Sequence, residues 1–201
     1  MRVFTRTAIG HRRSVRLRDP DYTEPGAYFV TLCTRDRRCA FGEVTLDGVQ
    51  LTPVGETVTE EWSRSADLRA EVELDVFVVM PNHIHGIVVI SDISPQSGLR
   101  AHGRAPLHRP ARSLGALVAG FKAATTSHVN RLAGTPGAPV WQRNYYEHII
   151  RSDKELKRVR QYIAENPGRW AEDPENPSVA QPVGAHGVRP GSRLPNNPPP
   201  T

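Results

Sequence analysis

Apolar residues recur along the chain in two rhythms. AYFVTLCT, residues 27–34, concentrates β-branched and aromatic side chains in a short run, and VELDVFVVMP (72–81) and IHGIVVIS (84–91) do so more strongly. Each predicts a strand, the last two joined by a tight turn at Pro81-Asn82. VWQRNYYEHIIRS (140–152) predicts a fourth strand, and CAFGEVTLDGVQL (39–51) a short hairpin about Asp47-Gly48. A period of 3.6 governs three other stretches. In TPVGETVTEEWSRSADL (52–68), Val54, Val58 and Trp62 share a face behind Pro53. In SLGALVAGFKAATTSHVNRL (113–132), Leu117, Phe121, Ala124 and Val129 share a face, and Ser113 is placed to cap. SDKELKRVRQYIAENP (152–167) aligns Leu156, Val159 and Ile163, with Ser152 as cap, Glu155 three residues on, and a stop before Pro167.

The order β-α-β-β-α-β with a terminal helix predicts an α+β, ferredoxin-like (RRM-like) fold: an antiparallel sheet with helices packed on one face. Residues 1–25 read as a basic N-terminal arm, 26–170 as the domain, and the Pro/Gly-rich 171–201 as a disordered tail. The stretch 94–113 has no periodicity and reads as a mobile basic loop.

Charge adds a direction to this outline. Lys and Arg number 26 against 21 Asp and Glu, a net charge of +5. The excess is local: Arg12, Arg13, Arg16 and Arg18 crowd the arm, and Lys154, Lys157, Arg158 and Arg160 crowd the last helix. Such clusters suit phosphate contacts, which give salt-sensitive affinity independent of base sequence. No apolar run reaches the roughly 18 residues of a membrane span, and the N-terminus lacks the apolar core of a signal peptide, so the expected location is the cytoplasm, at the nucleoid when bound to DNA. The only cysteines, Cys33 and Cys39, read as reduced thiols and are too few for a Cys-rich zinc cluster.

The candidate chemistry lies at two places. His83 and His85 alternate on a strand, so both rings leave the same face while Ile84 leaves the other. Such a pair reads either as strand-end imidazoles bonded to backbone or as half of a metal site, for two ligands are too few. On the last helix Arg158, Tyr162 and Asn166 follow at i, i+4, i+8 and form one stripe beside the apolar one. Tyr162 alone reads as a boundary tyrosine, its ring buried and hydroxyl wet. Asn166 could supply an amide oxygen as third ligand of an open site for Mg²⁺ or Mn²⁺.

VVMPNHIHGIVVI, WQRNYYEHIIR and YIAENP, in this order and spacing, resemble the REP-associated tyrosine transposases, a branch of the His-hydrophobic-His single-strand nuclease and transposase superfamily. HRRSVRLRDPDYTEPGAYFVTLCT and RSLGALVAGFKAATTSHVNRL look like the same family, so the resemblance spans about residues 11–171. It implies His83, His85 and Asn166 as ligands of a divalent ion and Tyr162 as the nucleophile of a single-stranded DNA endonuclease and strand transferase. The implied reaction leaves a 5′-phosphotyrosine and a free 3′-OH, on a substrate of REP-like hairpins, by a monomer or homodimer. DNA contacts are expected from Arg12, Arg13, Arg16, Arg18, Arg143, His148, Arg151 and Arg158. Two other classes fit less well. A non-catalytic single-stranded nucleic-acid-binding module on this sheet calls for an aromatic RNP signature, which does not occur. A histidine-triad hydrolase calls for a third alternating histidine, where the chain has Ile87.

Overall fold

The computed structural model describes residues 25–91 and 113–179. The arm with Arg12, Arg13, Arg16 and Arg18, and the loop up to residue 112, lie outside the described residues.

The elements in chain order are β1 (Gly26–Cys33), the hairpin β2 (Gly42–Thr45) and β3 (Gly48–Leu51), α1 (Pro53–Asp67), β4 (Val72–Val79), β5 (His83–Ile90), α2 (Leu114–Ala133), β6 (Tyr146–Ile150) and α3 (Asp153–Glu165). A 3-10 turn, Pro167–Glu172, follows α3 directly. The main sheet has the order β4-β5-β1-β6. All its pairings are antiparallel, with β1 running from Gly26↔Ile90 to Cys33↔His83 against β5 and from Ala27↔Ile150 to Thr31↔Tyr146 against β6. This is the expected α+β arrangement.

Alternation assigns the two faces of the sheet. Tyr28, Val30 and Leu32 of β1 and Ile84, Val88 and Ile90 of β5 meet Val58 and Trp62 of α1 and Leu117 and Phe121 of α2. Phe29, Ile87 and Ile150 leave the opposite face and meet Val159 and Ile163 of α3. The two helices inside the β-α-β-β-α-β unit thus share one face as expected. The added terminal helix covers the other, so β5 is buried on both sides. Burying Val159 and Ile163 contributes about 1.5–3 kcal/mol each. In β4 the phase changes once: Val72 and Leu74 join the α1/α2 core, but so do Phe77 and Val79, while Val76 and Val78 join the α3 core. A β-bulge between Leu74 and Phe77 makes the switch, because an extra residue shifts every later side chain to the other face.

Side-chain caps set the helix starts. Thr52, Ser113 and Ser152 accept the N–H groups of Gly55, Ala116 and Glu155 respectively. Glu155 departs from a reciprocal capping box: its carboxylate takes the Arg151 N–H (2.7 Å) and the His148 Nε2 (2.6 Å), tying the start of α3 to β6. Helix α2 ends on Gly134, whose φ of +64° suits a residue without Cβ.

Three expectations change. Strand β6 is shorter than 140–152, because the Lys122 ammonium binds the carbonyls of Gln142 (2.9 Å) and Asn144 (3.1 Å) and draws that segment away from the ladder. At its far end Ser152 is spent as the α3 cap. Strand β5 begins at His83, so both histidines belong to it. Residues 171–179, expected in a disordered tail, fold back onto the domain and bury Asp173, Glu175 and Asn176. Among the described residues no helix is long and apolar enough to cross a membrane.

Candidate active site

The first residues of β5 stand opposite the last of β1, His85 against Thr31 and His83 against Cys33. Antiparallel partners share a face, so all four side chains point to the side covered by α3. Both imidazoles are buried, and their Nε2 atoms lie 3.1 Å apart. Two nitrogens at about 2.1 Å from one octahedral ion, at right angles, stand about 3.0 Å apart. The outer ring atoms are engaged elsewhere: His83 Nδ1 with Asn82 Oδ1 (2.9 Å) and His85 Nδ1 with the Thr31 hydroxyl (2.8 Å). Such outer partners orient metal-binding imidazoles and leave Nε2 to the ion. Burial holds His83 down to about 3, so its ring is neutral, as a ligand must be. His85 is likewise held well below its usual range, by burial and then by the neighbouring His83.

Helix α3 and the turn after it bring the remaining groups. The Tyr162 hydroxyl is 3.4 Å from His85 Nε2, and its ring lies edge-on to Phe29. Asn166, one turn on, is buried beside His83, Tyr162 and Asp173 and influences the titration of each. Its Oδ1 nonetheless has no hydrogen-bond partner. A buried carbonyl oxygen left this way is costly unless a cation or water completes it. Asp173 adds a carboxylate, with ligand atoms of His83, His85 and Asp173 all within 4.8 Å of one another. Two imidazoles, an amide oxygen and a carboxylate therefore converge, a donor set that suits a divalent ion. Burial, then the Asp173 charge, pushes the Tyr162 phenol up to about 12, with the Asn166 amide working against them. Asp173 is itself raised by burial, opposed by the Glu175 N–H at 2.7 Å and by Asn166.

The structure thus brings His83, His85, Tyr162 and Asn166 to one pocket. The other expected residues are spread out. His148 and Arg151 stand at the β6–α3 junction around Glu155. Arg143 lines a groove of about 550 Å³ against α2, with Lys122, Thr126 and Trp141. Arg158 shares the Tyr162 face of α3 one turn earlier. Asp173 and Asn82 were missed by sequence reasoning. Asp173 sits in EDPENP, whose prolines read as tail, although a Trp followed by two spaced carboxylates was a signal of a folded end. Asn82 read as a turn residue, although an amide next to the first histidine could have been taken for its partner.

No family model matches the chain. Its architecture is shared with a solved REP-associated tyrosine transposase bound to a REP hairpin: the TM-score is 0.53 at 19% identity, over 79% of this chain and 78% of that one. The class of fold is therefore that of this transposase. In sequence the chain is 37% identical, over 169 residues, to an uncharacterized protein of Haemophilus influenzae (strain ATCC 51907 / DSM 11121 / KW20 / Rd), covering 82% of this chain and 93% of that protein. The chain belongs to the same family as that Haemophilus protein.

Proposed function

We propose that the protein is a metal-dependent single-stranded DNA endonuclease and strand transferase, a transposase, that cuts at REP-like hairpins through a 5′-phosphotyrosine. The observation that carries this reading is the convergence of Tyr162 on two neutral imidazoles whose Nε2 atoms face each other. A water-activating hydrolase has no use for a buried phenol at that place. The relative solved on the same fold is bound to a REP hairpin, which supports the substrate class.

His83, His85 and Asn166 would hold the ion, Mg²⁺ or Mn²⁺, with Asp173 a further donor in reach. Such an ion polarises the scissile phosphate and offsets charge in the pentacovalent transition state. Tyr162 attacks phosphorus in line; the Tyr–O–P bond forms as the P–O3′ bond breaks. The phenol proton leaves and the departing 3′ oxygen takes one up, giving a free 3′-OH. The phosphodiester energy is kept, so another 3′-OH can reverse the step and join strands without ATP. Burial, and then the Asp173 charge, keeps the phenol protonated in the metal-free pocket. Positive charge in the same pocket would favour the phenolate. The helix α3 packing fixes the phenol against Phe29 and His85, which limits the rotamers lost on reaching the reactive geometry.

Incubating the protein with labelled single-stranded hairpin DNA and Mn²⁺ or Mg²⁺ should yield an adduct that survives SDS. Tyr162→Phe should abolish the adduct while leaving the fold intact, and His83→Ala should abolish metal-dependent cleavage. An adduct that persists in Tyr162→Phe refutes the nucleophile.

A further inference from the structure

Asn82 lies at the mouth of β5, is 1% exposed, and makes three hydrogen bonds that join three separate segments. Its Nδ2 donates to the carbonyl oxygens of Arg37 (3.1 Å) and Glu175 (2.7 Å). Backbone carbonyls can only accept, so these two contacts fix which end of the amide is nitrogen. The other end, Oδ1, must therefore be the atom 2.9 Å from His83 Nδ1. An amide oxygen can only accept as well, which places a proton on His83 Nδ1 and leaves Nε2 as the bare lone pair. In the metal-free protein the bare His83 Nε2, 3.1 Å away, calls for a proton on His85 Nε2, but the Thr31 hydroxyl opposite its Nδ1 can donate or accept, so that proton can move to Nδ1 when a cation enters. The two histidines differ in this respect: one tautomer is dictated, and the other is free to adapt.

We propose that Asn82 is a positioning residue that dictates the Nδ1–H tautomer of His83 and, with the same amide, holds the segment carrying Asp173 against the site. The proposal rests on the reading of His83 as a metal ligand only for its consequence, not for the tautomer itself. The second half of the amide acts on a segment that Arg37 and Cys33 also hold, through the Pro174 carbonyl and the Glu175 carboxylate. The loop before it passes through Asp36 and Arg37 at φ +58° and +56°, a left-handed conformation unusual for residues with Cβ. That loop turns the Arg37 guanidinium onto the Glu175 carboxylate (3.1 Å) and the Pro174 carbonyl (3.1 Å). Loop and segment are thus bonded to each other, and Asn82 bonds both to the histidine strand.

The test uses the full chain, metal-free and then titrated with Mn²⁺, as wild type, Asn82→Ala, Asn82→Asp and, as a reference for a lost ligand, His83→Ala. Imidazole ¹⁵N spectra of the metal-free protein should show His83 as Nδ1–H in wild type and in Asn82→Asp, and as a mixture of tautomers in Asn82→Ala. By calorimetry, Asn82→Ala should bind Mn²⁺ roughly ten- to a hundredfold more weakly, as expected when an outer partner is lost. Asn82→Asp keeps the acceptor but lacks the donor. It should therefore bind Mn²⁺ within about threefold of wild type, yet exchange amides of 173–179 roughly five- to tenfold faster. A wild-type His83 that carries its proton on Nε2, or an Asn82→Ala protein with unchanged tautomer, overturns the proposal. Unchanged exchange in Asn82→Asp overturns its second half. Failure of the metal reading looks different: His83→Ala would bind Mn²⁺ as wild type does, with the Nδ1–H tautomer still governed by Asn82.

Discussion

Acidifying the metal-free protein from about pH 7 to about pH 5 should remove about 2 kcal/mol of stability through His83 alone. Burial is the main cause: with no water to solvate its cation, the ring is held down to about 3 against the usual 6.5, the Asn166 amide acting upward and Arg37 downward. The unfolded chain takes up this proton below 6.5, whereas the folded chain refuses it until about 3. The contribution of neutral His83 is therefore complete above 6.5 and lost progressively between 6.5 and about 3. One refused proton is worth about 1.4 kcal/mol per pH unit, and the span from the unfolded value to pH 5 is about 1.5 units. His85 has the same sign, since its ring too is held down by burial first. Asp173 and Glu175 have the opposite sign: both are raised by burial, so the folded chain protonates first and gains on acidification. The absolute slope is thus a balance, and the informative quantity is a difference. Urea unfolding in EDTA at the two pH values, for wild type and His83→Asn, isolates it, because asparagine still offers a donor toward Asn82 but does not titrate. The variant should lose about 2 kcal/mol less than wild type on acidification. Equal losses would refute the claim that burial keeps this ring neutral.

Two further outcomes follow from the same surroundings. Gly86→Ala would set a Cβ 2.6 Å from Trp62 Cζ2 and 3.3 Å from Phe77 Cβ, in a place where the Trp62 ring is fully buried. It should cost about 1–3 kcal/mol in urea unfolding, and a wild-type midpoint would show that the core yields there. Asp173→Asn removes one of the charges that raise Tyr162, so the phenol should titrate lower than about 12 in the metal-free protein, and Mn²⁺ should bind more weakly. Ultraviolet titration with Tyr162→Phe as the blank reads the first effect, and an unmoved phenol would place the Asp173 charge elsewhere.

How much of this was readable from the chain depends on the range of the interactions involved. Local patterns carried the strands, the helices and two caps: Ser152 and Ser113 precede periodic apolar runs and do bond the N–H groups three residues on. The stripe of Val159 and Ile163 pointed correctly to a sheet, and with it Tyr162 and Asn166 to the edge of that contact. Long-range choices were less legible. Nothing local tells that the Lys122 ammonium, 20 residues before Gln142, will make β6 start late. The bulge in β4 hides in VELDVFVV because apolar residues occur in both phases. The fold of 171–179 depends on partners far away in sequence, Asn82 and Arg37, and its prolines suit an ordered turn as well as a disordered tail.

The register of β5 is what couples fold to chemistry. Residues 83, 85, 87 and 89 face α3, and 84, 86, 88 and 90 face α1 and α2, so a slip of one residue would exchange both histidines for Ile84 and Gly86. That slip is opposed on the far side of the sheet, where only the position of Gly86 admits the Trp62 ring, and on the near side by the fit of Ile87 against Val159 and Ile163. Helix α3 is fixed independently, by Glu155 at β6, by the two-pronged Arg160–Asp75 pair at β4 and by its buried stripe. The exposed ion pair adds at most about 1 kcal/mol, so apolar packing sets where Tyr162 stands and the polar ties set its rotation. The 3.1 Å separation of the two imidazole nitrogens is therefore imposed by two cores at once, before any ligand enters. A cation entering between them would therefore meet the two nitrogens already at this separation, with a proton shift on His85 as the change the pair itself requires.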